Sequence, residues 1–288
     1  MSEAAASNTD PLRRVALRRI QDPFAPLRHV DIRLESGLAT GYSNLSQIAR
    51  VVTESWVQQH LYCPICESEA LSRTPPSTRV VDFICEKCDE AFQLKSQSRP
   101  FGARVTDAAY GPMIERIKSS SAPNLVFLHY SLDRWVVRNL FFVPRFFVHP
   151  SIIERRQALK STARRAGWVG CNILLSSLPS DARIPAVSDE EPLPRAGVRE
   201  SWHRFEFLGN RDLESRGWTA DVLACVRDLR RESFSASDIY AFERRLGSLH
   251  PLNRSVRPKI RQQLQILRDH GIIEFLGKGR YRILLLQS

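Results

Sequence analysis

Two cysteine pairs, Cys63-Pro-Ile-Cys66 and Cys85-Glu-Lys-Cys88, form the strongest chemical pattern in this 288-residue sequence. A CxxC turn lets two thiolates reach one ion, and the 18 residues between the pairs match the usual gap of a four-cysteine zinc site. Four thiolates close a tetrahedral shell and leave no position for a water nucleophile, so the expected Zn²⁺ is structural. Cys171 and Cys225 stand alone in apolar or helical contexts and are expected to be buried packing residues. A second pattern straddles the second pair: Asp82 precedes it, and Gln93 and Lys95 follow. Strand side chains alternate, so Gln93 and Lys95 share a face, and a hairpin would bring them beside Asp82. Metal-dependent phosphodiester hydrolysis needs oxygen ligands for Mg²⁺ and a nearby cation to orient water and offset developing charge. Asp82 and Lys95 suit those roles, although on this spacing alone a solvated Asp and Lys on adjacent strands explain it as well.

The elements that must position these residues follow from hydrophobic spacing. Leu45, Ile48, Ala49, Val52 and Trp56 recur at three and four residues, which predicts an amphipathic helix leading to Cys63, capped by Ser43 or Ser46. Residues 79–84 and 91–96 read as short strands around the second CxxC, and residues 105–118 suit a helix. Residues 125–130 and 135–143 are apolar, aromatic-rich strands, giving an α/β core. Residues 1–40 lack a sustained period and read as a flexible extension, and residues 179–197, with four prolines among acidic residues, as a long loop or linker.

The C-terminal part reads as a winged helix. Val222, Cys225, Val226 and Leu229 make one apolar helix face; Phe234-Ser-Ala-Ser-Asp238 caps a second helix carrying Ile239, Phe242 and Leu246; Ile260, Leu264 and Leu267 define a third. Residues 272–283 then form two alternating strands around a glycine-containing turn. The domain division expected is an extension at 1–40, an α/β core with an inserted four-cysteine zinc finger at 41–209, and an all-α-plus-hairpin winged-helix domain at 210–288.

Net charge is +11, from 42 Lys and Arg against 31 Asp and Glu, and residues 213–288 alone hold 14 against 8. Such an excess favours a polyanionic partner, with nucleic acid first. No apolar run is long enough to cross a membrane and no signal-peptide pattern opens the chain, so a cytoplasmic protein with no membrane partner is expected. A reducing cytosol in turn makes metal ligation the default for paired cysteines.

Several stretches closely resemble the DpnI family of methyl-directed restriction endonucleases: residues 43–47, 53–57, 62–66, 81–83, 92–96, 161–173, 215–219 and 259–269. The resemblance spans about residues 41 to 284. It implies a PD-(D/E)xK catalytic domain carrying a zinc finger, then a winged helix, with both domains recognising GATC that contains N6-methyladenine. The catalytic set implied is Asp82, Gln93 and Lys95, with Asp82 and Gln93 holding Mg²⁺. One departure falls on this motif, because the family pattern has Glu where this chain has Gln93. A neutral amide oxygen holds Mg²⁺ less well than a carboxylate. QxK versions of the motif resemble those of Mrr-type nucleases. Glu54 on the preceding helix could supply a compensating carboxylate or be a helix-packing residue.

The resemblance also directs attention to DNA-reading residues. Lys160, Arg164 and Arg165 lie beside Trp168, with Gly167 and Gly170 permitting close backbone approach. The arginines could anchor phosphate or guanine while Trp168 walls a pocket for a methylated adenine, or Trp168 could be core and the arginines a solvated face. In the third winged-helix element, Arg257, Lys259, Arg261, Gln262, Gln265 and Arg268 surround the apolar stripe, and Gln and Arg match adenine and guanine in the major groove. Lys278 and Arg280 on the wing are expected at phosphate or the minor groove. The reading adopted is a monomeric, Mg²⁺-dependent, methyl-directed endonuclease acting on double-stranded DNA with N6-methyladenine. A catalytically silent reader of the same mark and a winged-helix transcription factor with a relic domain are the alternatives.

Overall fold

The computed structural model describes residues 30–284 except 76, 77 and 79. Residues 1–29, most of the expected N-terminal extension, lie outside the described residues, as does Arg79 of the expected 79–84 strand.

Helix α1 (Leu45–His60) starts at Asn44, whose side chain accepts hydrogen bonds from the Ser46 and Gln47 amides. Asn44, not Ser43 or Ser46, therefore satisfies the open first turn. Of the predicted stripe, Val52 and Trp56 are buried, Ile48 and Ala49 are half-buried and Leu45 at the first turn is exposed, while Val57 joins the buried face. A hairpin chain follows: β1 (Ser72–Arg73), β2 (Phe83–Ile84) and β3 (Ala91–Gln97). Next come β4 (Arg104–Ala109), α2 (Tyr110–Lys118), β5 (Asn124–Ser131) and β6 (Val136–Val143). Then β7 (Ile153–Arg155), β8 (Gly170–Leu174), β9 (Ile184–Ser188), β10 (Glu191–Pro192) and α3 (Arg195–His203) complete this part of the chain.

The central sheet has the order β1-β2-β3-β5-β6-β9-β10, with β3 and β5 parallel and every other pair antiparallel. A parallel pair cannot be closed by a hairpin, and β4 with α2 supplies the crossover between β3 and β5. All eight residues of β5 are buried, as a strand covered on both faces requires. Strand β4 leaves the central sheet to pair with β8, forming a second sheet of order β4-β8-β7.

Three expectations fail here, each through long-range pairing. Residues 105–118 are not one helix: Arg104–Ala109 alternate in exposure along β4, and the helix begins only at Tyr110. Residues 179–197 are not a linker, because Ile184, Ala186 and Val187 are buried and β9 pairs with β6 despite Pro185. Residues 31–39 are not an extension: Arg33 bridges to Val136, the Val137 amide donates to Ile32, and Trp56 Nε1 donates to the Asp31 carbonyl at 2.7 Å.

The C-terminal module contains α4 (Leu213–Asp228), β11 (Ser233–Ser235), α5 (Ala236–Tyr240), α6 (Glu243–Leu249), α7 (Val256–Asp269), β12 (Ile273–Gly277) and β13 (Arg280–Ile283). Ser235 and Asp238 form a reciprocal capping box at α5. The expected second helix is two short ones, broken at Phe242. Strands β12 and β13 turn through Gly277, Lys278 and Gly279, all with positive φ, and β11 adds to β13 in a three-stranded sheet. Buried Ile260, Leu264 and Leu267 seat α7, leaving its other face exposed. Asp181 pairs with Arg227 of α4 through two guanidinium nitrogens, and Arg204 donates to the Leu284 carbonyl at 2.6 Å. The architecture is a mixed α/β sheet core with a four-cysteine cluster and a C-terminal helical module.

Candidate active site and cysteine cluster

The four cysteine sulfurs all lie within 4.8 Å of one another, with Cys63 to Cys88 at 3.8 Å and Cys66 to Cys85 at 3.5 Å. A tetrahedron with Zn–S bonds of about 2.3 Å has sulfurs about 3.8 Å apart, so the arrangement fits one tetrahedral, thiolate-loving ion. Backbone amides complete the turns: Ile65 N–H donates to Cys63 Sγ, and the Cys63 amide donates to Ser68. The second turn closes when the Cys85 amide donates to Glu90 and the Asp89 amide to Cys85. Glu90 in turn accepts from Asn124 of β5 and from the Arg145 guanidinium, and Arg199 of α3 donates to the Cys63 carbonyl at 3.4 Å. The cluster is thus fastened to the sheet and to α3. Burial raises the Tyr62 hydroxyl to about 12, beneath the guanidinium groups of Arg195 and Arg199.

The cluster sits at the turn of the β2–β3 hairpin. Phe83 pairs with Phe92 and Ile84 with Ala91, while the Asp82 amide donates to the Phe92 carbonyl at 2.9 Å. Asp82 is thereby set opposite β3, and its Oδ2 accepts from the Leu94 amide at 2.8 Å. Alternation along β3 places Gln93 and Lys95 on one face, and both line an open cleft of about 720 Å³ together with Asp82 and Glu54. Arg50, Thr53, Ser96 and Arg104 add polar walls. Thr53 donates to Ser96 at 3.0 Å, which fixes α1 against β3.

Two features of the cleft bear on chemistry. Gln93 is only 5% exposed, and its Oε1 is buried without a hydrogen-bond partner. A buried carbonyl oxygen without a donor costs about 1–3 kcal/mol, so this atom is primed for a ligand. Asp82 beside it makes the pair an oxygen donor set suited to a hard divalent cation, and the residues fit Mg²⁺. Glu54 reaches the cleft but pairs with Arg50 at 2.7 Å and with Arg73, so its charge is already offset by two guanidinium groups.

Lys95 is ion-paired to Asp107, a β4 residue whose side chain is fully buried. Sequence reasoning missed Asp107 because 105–118 reads as a helix. The burial of Val105 and Asp107 against exposed Arg104 and Thr106 emerges only from the pairing of β4 with β8.

The expected DNA-reading residues fall in two other places. Arg164, Arg165 and Trp168 occupy the loop between β7 and β8 and do not line the cleft. That loop closes on itself, with the Leu159 amide donating to Trp168 and the Gly167 amide to Leu159. The Arg165 guanidinium lies 4.9 Å from the Trp168 ring centroid, and the ring rests on Gly170, where a Cβ would come within 2.8 Å of it. The glycine admits Trp168 itself.

On α7, Arg261, Gln262 and Gln265 are exposed and Lys259 half-buried. Arg257 pairs with Glu243 at 2.8 Å and lies over Tyr240, and Arg268 pairs with Asp269. Gln263 is buried and accepts from Thr219, locking α7 to α4. Lys278 stands at the wing turn and Arg280 is exposed on β13. Among the described residues no helix is long and apolar enough to cross a membrane.

The described residues thus form a sheet core with a four-cysteine cluster, an open polar cleft and a C-terminal helical module carrying exposed Arg and Gln. The profile of the Dam-replacing family, DpnI, matches residues 30–211, and that of the Dam-replacing HTH domain matches residues 214–283. The chain belongs to the Dam-replacing family, which places it with the methyl-directed, modification-dependent endonucleases.

Proposed function

We propose that the protein is a Mg²⁺-dependent endonuclease that cuts both strands of DNA at N6-methyladenine sites, with Gm6ATC as the target. The supporting observation is the convergence of Asp82, Gln93 and Lys95 on one open cleft, with the Gln93 oxygen buried and unpartnered. Bound Mg²⁺ supplies Lewis acidity at the scissile phosphate and lowers the proton affinity of the attacking water. Asp82 holds the cation by its charge, and the Leu94 amide fixes the carboxylate's orientation. Gln93 Oε1 contributes a second oxygen without charge, which raises the concentration of cation needed. Lys95 orients the water and offsets the charge that develops on the phosphate.

Zn²⁺ at Cys63, Cys66, Cys85 and Cys88 keeps the β2–β3 hairpin in register and takes no part in the chemistry. In this reading residues up to about 209 cut and take part in recognition, residues from about 210 form the winged-helix reading module, and one chain forms the unit in solution. Arg261, Gln262 and Gln265 face base edges, while Lys259, Lys278 and Arg280, with Arg164 and Arg165, meet phosphate. Arg257 exchanges Glu243 for DNA. Trp168 holds the 160–168 loop against the strand rather than walling an open pocket.

The neutral Gln93 favours one second reading, a silent reader of the same mark. A methylated GATC duplex incubated with wild type and Gln93→Glu across Mg²⁺ and Mn²⁺ titrations separates the two. Cleavage by both, with a wild-type cation requirement about tenfold higher, is expected. Cleavage by Gln93→Glu alone would establish the reader, and cleavage by neither would remove the nuclease assignment.

A further inference from the structure

Asp107 is a carboxylate with no assigned role, and its setting is unusual. It lies on β4, in the second sheet, yet its Oδ1 accepts from Lys95 Nζ on β3 of the central sheet. Its side chain is fully buried, and its Oδ2 is without any hydrogen-bond partner. The pairing of β4 with β8 is regular from Arg104 to Asp107 and shifts register between Asp107 and Ala109. A bulge of this kind bends a strand and re-aims a side chain, and bulges concentrate beside active sites. Cys171, opposite Asp107 on β8, donates to the Ala108 carbonyl at 3.5 Å and leaves the carboxylate to Lys95.

A half-satisfied buried ion pair is a poor stabilising device, because desolvation offsets most of the attraction. Its value lies in what it does to Lys95. That side chain is 15% exposed and shares the β3 face with Gln93, so an unpaired ammonium there would repel a divalent cation held at Gln93 and Asp82. In a site where the family's Glu is Gln93, Asp82 is left as the one carboxylate of the motif, and a counter-charge behind Lys95 gains weight.

We infer that Asp107 is the positioning residue of the cleft: it holds the Lys95 ammonium in one place and shields the divalent cation from it. Asp107 acts through Lys95 and touches neither DNA nor cation. The inference rests on the nuclease reading for its purpose but not for its test.

The test is Mn²⁺ binding, followed by its electron paramagnetic resonance signal on the full chain with its zinc in place, for wild type, Asp107→Asn, Lys95→Met and the double variant. Asp107→Asn keeps shape and an acceptor oxygen while removing the charge, and is expected to weaken Mn²⁺ binding about tenfold. In the Lys95→Met background the same change should lose most of its effect, since the ammonium to be shielded is gone. A purely structural Asp107 would give equal losses in both backgrounds, tracking loss of thermal stability, and would overturn the inference. Unchanged Mn²⁺ binding in Asp107→Asn would overturn it as well. Cleavage of methylated duplex by the same four proteins keeps the two readings apart. If wild type does not cut yet the coupling between Asp107 and Lys95 persists, the nuclease reading falls and the positioning role stands. If wild type cuts and the coupling is absent, the reverse holds.

Discussion

The cysteine cluster and the cleft, a few residues apart on one hairpin, are built on opposite plans. The cluster offers four like donors from two short turns, and backbone amides, Glu90, Arg145 and Arg199 tie its surroundings to the core. The cleft draws Gln93 and Lys95 from β3 and Asp82 from just before β2, takes a wall from α1, and leaves an oxygen of Gln93, and of Asp107 behind Lys95, unmet. A closed donor set preserves geometry, whereas an open and under-satisfied one is ready for an outside group. The two are neighbours along the chain, with Asp82 three residues before Cys85 and Gln93 five after Cys88.

That division of labour can be broken at its strongest point by removing zinc. Chelation, or Cys85→Ala, should unfold the hairpin and abolish both cleavage and high-affinity DNA binding. Structural zinc sites carry on the order of 10 kcal/mol of apparent binding energy. Calorimetry of the chelated protein checks this, and a retained melting transition with normal cleavage would show the cluster to be dispensable. Asp82→Ala should act on the cleft alone, lowering the cleavage rate by at least about 10³-fold while gel-shift affinity and melting temperature hold.

Legibility in the sequence followed the same contrast. The CxxC pairs, the alternation of Gln93 and Lys95, the α1 stripe and the glycine-centred wing are local patterns, each set by neighbours within a few residues. Asp107, β9 and residues 31–39 were hidden because only distant partners make them what they are. Asp107 needs β8 and Lys95, β9 needs β6 to override Pro185, and Arg33 needs Val136. Asn44 was passed over for the flanking serines, although an Asn cap is as good as a Ser one.

Smaller effects sharpen the contrast between geometry and contact. Gly170→Ala would press a methyl group to within 2.8 Å of Trp168. Overpacking of this sort costs about 1–3 kcal/mol, so the melting temperature should fall while the cysteine cluster stays intact by zinc content. Lys278→Ala and Arg280→Ala should each reduce the salt slope of DNA binding by about 1 without changing preference for methylated over unmethylated sites. A lost preference would move those side chains from phosphate to base recognition.

Cleavage directed by adenine methylation is measured by comparing one plasmid prepared with and without N6-methyladenine at its GATC sites. Incubated with the purified protein and Mg²⁺, the methylated form should fall to discrete fragments and the unmethylated form should survive. A gel shift of methylated DNA without fragments at any Mg²⁺ concentration, or equal cutting of both forms, would rule out methyl-directed cleavage.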